Sequence, residues 1–159
     1  MRPQRTFALL AFALMSAGMS GALASPGHEH AHDQAYGQPG DPKKPARIVQ
    51  IVMREDDGRM MFVPDRVVVR PGEQIRFQLR NDGEIDHELV LATVEQNLAH
   101  MQAMEAAPEM AHEEPNARRL KPKARAEILW QFTRAGAFDF SCLIPGHRQL
   151  GMSGEVIVR

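Results

Sequence analysis

The sequence contains a single cysteine, Cys142, in 159 residues, so no disulfide can form within the chain. In an oxidising compartment a lone thiol is a liability unless it is buried, paired between chains or bound to metal. Basic residues are also in short supply: 19 Lys+Arg stand against 20 Asp+Glu, with no basic stripe, which argues against nucleic acid as a partner. There is no internal repeat, and the chain is long enough for one compact domain but not for two.

The apolar run from Phe7 to Met15 is too short to serve as a permanent membrane anchor. It follows Arg2 and Arg5 and precedes small residues closing on Ala22-Leu23-Ala24, the pattern of a secretory signal peptide cleaved after Ala24. The expected product is a soluble, exported protein of the periplasm beginning at Ser25, with no membrane attachment after cleavage. Loss of Arg2 and Arg5 leaves 17 Lys+Arg against 20 Asp+Glu, a net charge near -3. Three regions are expected: a leader over 1–24, a flexible His-bearing tail over 25–46, and one folded domain over 47–159. The tail is rich in Gly, Pro, His and charge and offers almost nothing to bury.

Beyond the tail, short β-like runs recur at 47–53, 66–70, 74–80, 87–92, 127–132, 137–142 and 155–158. Several alternate with period two; in the run from Gln74 to Arg80, Ile75, Phe77 and Leu79 share one face and polar residues fill the other. Pro71-Gly72, Asn81-Asp82-Gly83 and Pro145-Gly146 punctuate the runs as turns. Many short strands with one helical stretch predict an all-β fold, an antiparallel sandwich or barrel. The exception is 93–122, where Thr93 and Gln96 fit a capping box, good helix formers run from Val94 to Ala106, and Pro108 stops them. The rest of that excursion reads as loop.

The chemistry concentrates near the C-terminus. Cys142, His147 and Met152 follow one another at intervals of five residues and place a thiolate, an imidazole and a thioether on one short loop. These are the donors of a blue-copper site, which needs one more imidazole. His87 is the candidate, because strand alternation puts His87, Leu89 and Leu91 on one face, as it puts Phe138, Phe140 and Cys142 on another. Pro145 and Gly146 allow the loop to fold His147 back toward Cys142. Zinc prefers more thiolates and rarely takes Met, and a binuclear copper centre needs a second Cys. No His-x-His motif lies in the folded region, so an oxidase or reductase ranks last and no enzymatic activity is expected.

Residues 47 to 159, and above all Asn81 to Leu91 and Phe138 to Val158, resemble the cupredoxins, the plastocyanin and azurin group of mononuclear blue-copper proteins. The Cys-Leu-Ile-Pro-Gly-His loop, the His-bearing tail and the Met/His-rich excursion are more particularly similar to periplasmic cupredoxins associated with copper tolerance. The resemblance implies a Greek-key β-sandwich with one helix-bearing insertion and one mononuclear type 1 copper held by His87, Cys142, His147 and Met152. It also implies either protection of the envelope from copper or one-electron transfer to a transient redox partner. Several electron-carrying members have Asn where this chain has Glu88. Two further groups of soft donors stand apart from that site: His28, His30 and His32 in the tail, and His100, Met101, Met104, Met110 and His112 in the excursion. Each is read either as a weaker second copper site or as, respectively, solvated tail and helix packing.

Overall fold

A computed structural model of the chain describes residues 35–106 and 114–159. The leader, His28, His30, His32, Met110 and His112 lie outside the described residues. Within them the chain runs β1 (Gln38–Pro39), β2 (Arg47–Asp56), β3 (Arg59–Val63), β4 (Arg66–Val69), β5 (Gln74–Asn81), β6 (His87–Ala92), α1 (Val94–Ala106), β7 (Ala117–Leu120), β8 (Arg125–Gln131), β9 (Gly136–Ser141) and β10 (Ser153–Val158).

Two five-stranded sheets face each other, one in the order β1-β8-β5-β2-β3 and the other β4-β10-β9-β6-β7. This is the expected all-β sandwich with a helix-bearing insertion. Its pairing is mixed, since β2 runs parallel to β5 and β10 parallel to β4, where alternation alone suggested antiparallel neighbours throughout. The inward positions of both sheets build one core. From the first sheet come Ile51, Met53, Ile75, Phe77, Leu79, Ile128 and Trp130; from the second come Val67, Leu89, Leu91, Phe138, Phe140 and Val156. Phe62 meets Phe140 edge to face across the sandwich, with centroids 5.2 Å apart, which fixes the inward face of β9 just before Cys142.

Strand β6 departs from simple alternation because all six of its residues are buried. Helix α1 and strand β7 cover its outer face: Val90 packs with Ala117, Leu143 and the partly buried Met101 in a small second cluster. The capping box forms as expected. Thr93 N–H donates to Gln96 Oε1 and Gln96 N–H donates to Thr93 Oγ1, each at 3.2 Å. Strands β3 and β7 were not expected. Arg59–Val63 holds two methionines and little alternation of polarity, and Ala117–Leu120 is half arginine, so only pairing to β2 and β6 reveals them.

The segment from Ala35 to Ala46, expected to belong to the tail, lies against the first sheet. Tyr36 is buried and stacks on Trp130 at 5.3 Å, and the Trp130 indole N–H donates to the Tyr36 carbonyl at 2.8 Å. Gln74 secures the following turn by accepting the Asp41 N–H at 2.7 Å and donating to the Asp41 carbonyl at 3.0 Å. Composition missed this because one aromatic residue and one buried amide do the anchoring among otherwise polar neighbours. Replacing Tyr36 by Ala removes that stack, and the expected loss is about 3 kcal/mol of stability. Urea unfolding followed through the fluorescence of Trp130 measures it.

Candidate metal centre

The register of the second sheet decides where the site lies. Strand β6 runs antiparallel to β9 with Val90 opposite Ser141 and Leu91 opposite Phe140. One step further along the same register, Cys142 falls beside Leu89, and His87, two residues on, shares the face of Leu89. The Glu88 N–H points at Cys142 Sγ from 3.4 Å.

The loop after Cys142 then turns tightly back on itself. His147 N–H donates to the Ile144 carbonyl at 3.0 Å, Met152 N–H to the His147 carbonyl at 3.2 Å, and Cys142 N–H to the Met152 carbonyl at 3.1 Å. Gly146 takes φ +88°, a left-handed backbone that the bend requires and that a side chain would strain. The outcome is a buried cluster in which the ligand atoms of His87, Cys142 and His147 all lie within 4.8 Å of one another. His147 Nδ1 stands 3.3 Å from both His87 Nδ1 and Cys142 Sγ. Two nitrogens bound at the distances usual for a first-row metal and subtending a near-tetrahedral angle are about 3.3–3.4 Å apart, so the three donors fit a single ion. Met152, the fourth expected ligand, is fully buried in the same apolar cluster as Cys142 and is tied to both Cys142 and His147 through its backbone.

Burial sets the electrostatics. It pushes the Cys142 thiol up to about 12, with the nearby Glu88 charge adding to the effect. It also pulls His147 below the ordinary imidazole value, helped by the neighbouring His87. Without a cation the pocket therefore favours neutral donors, and a metal ion that stabilises thiolate would displace the thiol proton. Glu88 itself is buried, which raises its carboxyl, while the Leu143 N–H at 2.9 Å partly offsets the rise. Through its backbone and its side chain, Glu88 holds both the thiol and the residue after it.

Two features around the cluster were not anticipated. Glu55, on β2, lies 2.7 Å from His87 Nε2. Its signal was present in the sequence as phase: it continues the inward series Ile51, Met53, yet an acidic residue before the Asp56-Asp57-Gly58 turn reads as surface. The second feature is a buried polar network behind the loop. Arg148 pairs with Asp139 at 2.9 Å and also meets Ser141, while Asn97 of α1 donates to Asp139 at 2.7 Å and to the Val90 carbonyl at 3.1 Å. Asp139 and Ser141 occupy the outward phase of β9, so α1 and Arg148, not the core, bury them.

Of the excursion's candidate donors, Met104 is buried and the partly buried Met101 packs against the cluster of Val90, Ala117 and Leu143, with the Gln149 amide 3.9 Å from its sulfur. Both sulfurs thus lie against protein, and His100 is half-exposed on the same helix.

The raised thiol has a consequence for stability. An unfolded Cys titrates near pH 8.5, whereas folded Cys142 keeps its proton to about 12. The folded state therefore binds the proton more tightly, and its contribution is complete below about pH 8.5 and is lost as the pH rises toward 12. Metal-free protein is expected to lose stability over that window more steeply than its Cys142→Ser variant, as measured by urea midpoints at successive pH values.

Comparison with known proteins agrees with this geometry. The model of the copper-binding proteins of the plastocyanin/azurin family matches residues 49–159. The chain is 47% identical over 139 residues to the copper-resistant cuproprotein CopI of Rubrivivax gelatinosus, covering 87% of this chain and 82% of that protein. It is 31% identical over 167 residues to the protein of the same name from Pseudomonas aeruginosa, covering 87% and 88%. Among solved structures, auracyanin B superposes with a TM-score of 0.63 at 19% identity, covering 77% of this chain and 96% of that one, a likeness of fold. The chain belongs to the plastocyanin/azurin family of copper-binding proteins.

Proposed function

We propose that this protein binds one copper ion in the periplasm and serves copper tolerance, with His87, Cys142 and His147 as the strong ligands and Met152 as a weaker fourth donor. The observation that carries the reading is the buried convergence of one sulfur and two imidazole nitrogens on a single point. The names of the two relatives, which speak of copper resistance, support the physiological half of it. The leader-like N-terminus supports export, and among the described residues no helix is long and apolar enough to cross a membrane. The role is one of binding rather than catalysis.

Copper held by this donor set would supply a Cu(II)/Cu(I) couple and a strong preference for thiolate. The chain's own residues do the rest. The Phe62–Phe140 pair and the surrounding aliphatic core exclude water from the inner side. Backbone bonds from Cys142 and Met152 close the loop, and the Arg148–Asp139 pair anchors it to the sheet beside His147. Such a scaffold keeps one ligand geometry in both oxidation states.

A second reading, one-electron transfer to a transient partner protein, draws on the surface beside the ligand loop. Leu150 is 45% exposed three residues after His147, itself 8% exposed, so an apolar contact near a ligand residue is available. Growth on copper and respiratory electron flux, compared after loss of the gene, distinguish the two: tolerance predicts a defect in the first and electron transfer a defect in the second.

Titration of the purified protein with Cu(II) tests the site. The expected result is an intense visible thiolate-to-copper band in the wild type, no such band in Cys142→Ala, and binding of one equivalent. A colourless wild type that retains zinc instead would overturn the reading.

A further inference from the structure

Glu55 belongs to neither the ligand set nor the ligand loop, yet three groups that determine the position of His87 converge on it. One carboxylate oxygen lies 2.7 Å from His87 Nε2 and accepts the Ile85 N–H at 3.4 Å; the other accepts the Glu84 N–H at 3.0 Å. The carboxylate also lies so close to Gly83 that any Cβ there would collide with it. Asn81 braces the same turn from the inside by accepting the Gly83 N–H at 2.9 Å and donating to the Ile85 carbonyl at 2.8 Å.

The chemistry of His87 makes the first of these contacts informative. A carboxylate only accepts, so the nitrogen facing it must carry the proton, and in a neutral imidazole the other nitrogen is then a bare lone pair. Here that other nitrogen is Nδ1, which faces His147 Nδ1 and the cluster. The side chain of His87 is fully buried, while that of Glu55 is 27% exposed, so the carboxylate stands between the imidazole and solvent at the wall of the site. Protein groups that hold the distal nitrogen of a metal-bound histidine fix its tautomer and orientation and raise its basicity. A negative charge at that place also favours the more highly charged state of a bound ion.

We propose that Glu55 is a positioning residue of the metal centre: it fixes His87 with its proton on Nε2 and its Nδ1 lone pair turned to the ion, and its charge favours Cu(II) over Cu(I). The second half rests on the copper reading given above; the first half is a property of the protein without metal.

Two variants separate the parts. Glu55→Gln keeps an oxygen that can accept from Nε2–H but removes the charge, and Glu55→Ala removes both. In metal-free protein, long-range proton–nitrogen NMR of His87 should show the Nε2–H tautomer in the wild type and in Glu55→Gln, and a mixture of tautomers in Glu55→Ala. In copper-loaded protein, both variants should shift the Cu(II)/Cu(I) balance toward Cu(I) by about tenfold, equivalent to about 59 mV for a one-electron couple. A His87 tautomer in Glu55→Ala indistinguishable from the wild type would overturn the positioning role. An unchanged potential in Glu55→Gln would overturn the electrostatic role, and because that variant is nearly isosteric the result holds even if Glu55→Ala fails to fold. Absence of the thiolate-to-copper band in the wild type would count against copper itself, while leaving the tautomer comparison intact.

Discussion

The antiparallel pairing of β6 with β9 is the constraint on which the site depends. It fixes how far His87 lies from Cys142 along the sheet and guarantees that both face inward. A slip of one residue in that register would turn either His87 or Cys142 to the opposite face, because side chains alternate. Several independent contacts oppose such a slip. Phe140 is locked against Phe62 from the facing sheet, and on the outer face Asp139 and Ser141 are held by Asn97 and Arg148. Gly154 of β10 adds a third restraint, since any side chain there would strike the Phe140 ring. The core and the polar network therefore specify one register from both sides of β9.

That arrangement explains why so small a loop suffices to complete the centre. With Cys142 already placed, the loop has only to return one imidazole and one thioether to the same end of the sandwich. Its backbone closes on itself, from His147 to Ile144, from Met152 to His147 and from Cys142 to Met152, and bonds from Leu143 to Glu88, from Met60 to Leu150 and from Arg148 to Asp139 tie it to the strands around it. A loop so closed has little conformational freedom of its own, and the proposed ligands inherit the rigidity of the sheet. Burial, which excludes water, also holds the Cys142 thiol and the His147 imidazole neutral without metal, so metal binding would go with loss of the thiol proton.

Much of this was legible in the sequence because the signals were periodic or paired. Alternation located β2, β4, β5, β6, β8, β9 and β10 to within a few residues, and the Thr93–Gln96 box marked the start of α1. The cluster itself followed from strand phase and the five-residue intervals after Cys142. What escaped notice depended on partners that the local pattern does not show, most of them remote in sequence. Strand β3 is recognisable only against β2, and β7 only against β6. Tyr36 is an ordinary residue of a polar segment until Trp130, 94 positions away, supplies a surface for it. Glu55 could have been suspected from its inward phase, but a carboxylate at the end of a strand is ordinarily solvated, and only the arrival of His87 from another sheet gives it a role.

The helix of the excursion packs around the candidate centre. Helix α1 presents Asn97 to Asp139 and packs Met101 against the cluster of Val90, Ala117 and Leu143, so it covers the strand that ends just before Cys142. Arg148, beside His147, reaches the same Asp139 from the other direction. A buried charge pair of this kind is poor evidence of stability in itself, because desolvation offsets much of its attraction, but its directional bonds select one arrangement over others. Asp139 thus joins three elements that sequence separates, the helix, the strand and the loop. Among the described residues of the insertion, Met104 is buried and the partly buried Met101 packs against the cluster of Val90, Ala117 and Leu143 and meets the Gln149 amide, so the helix forms part of the outer wall of the candidate centre.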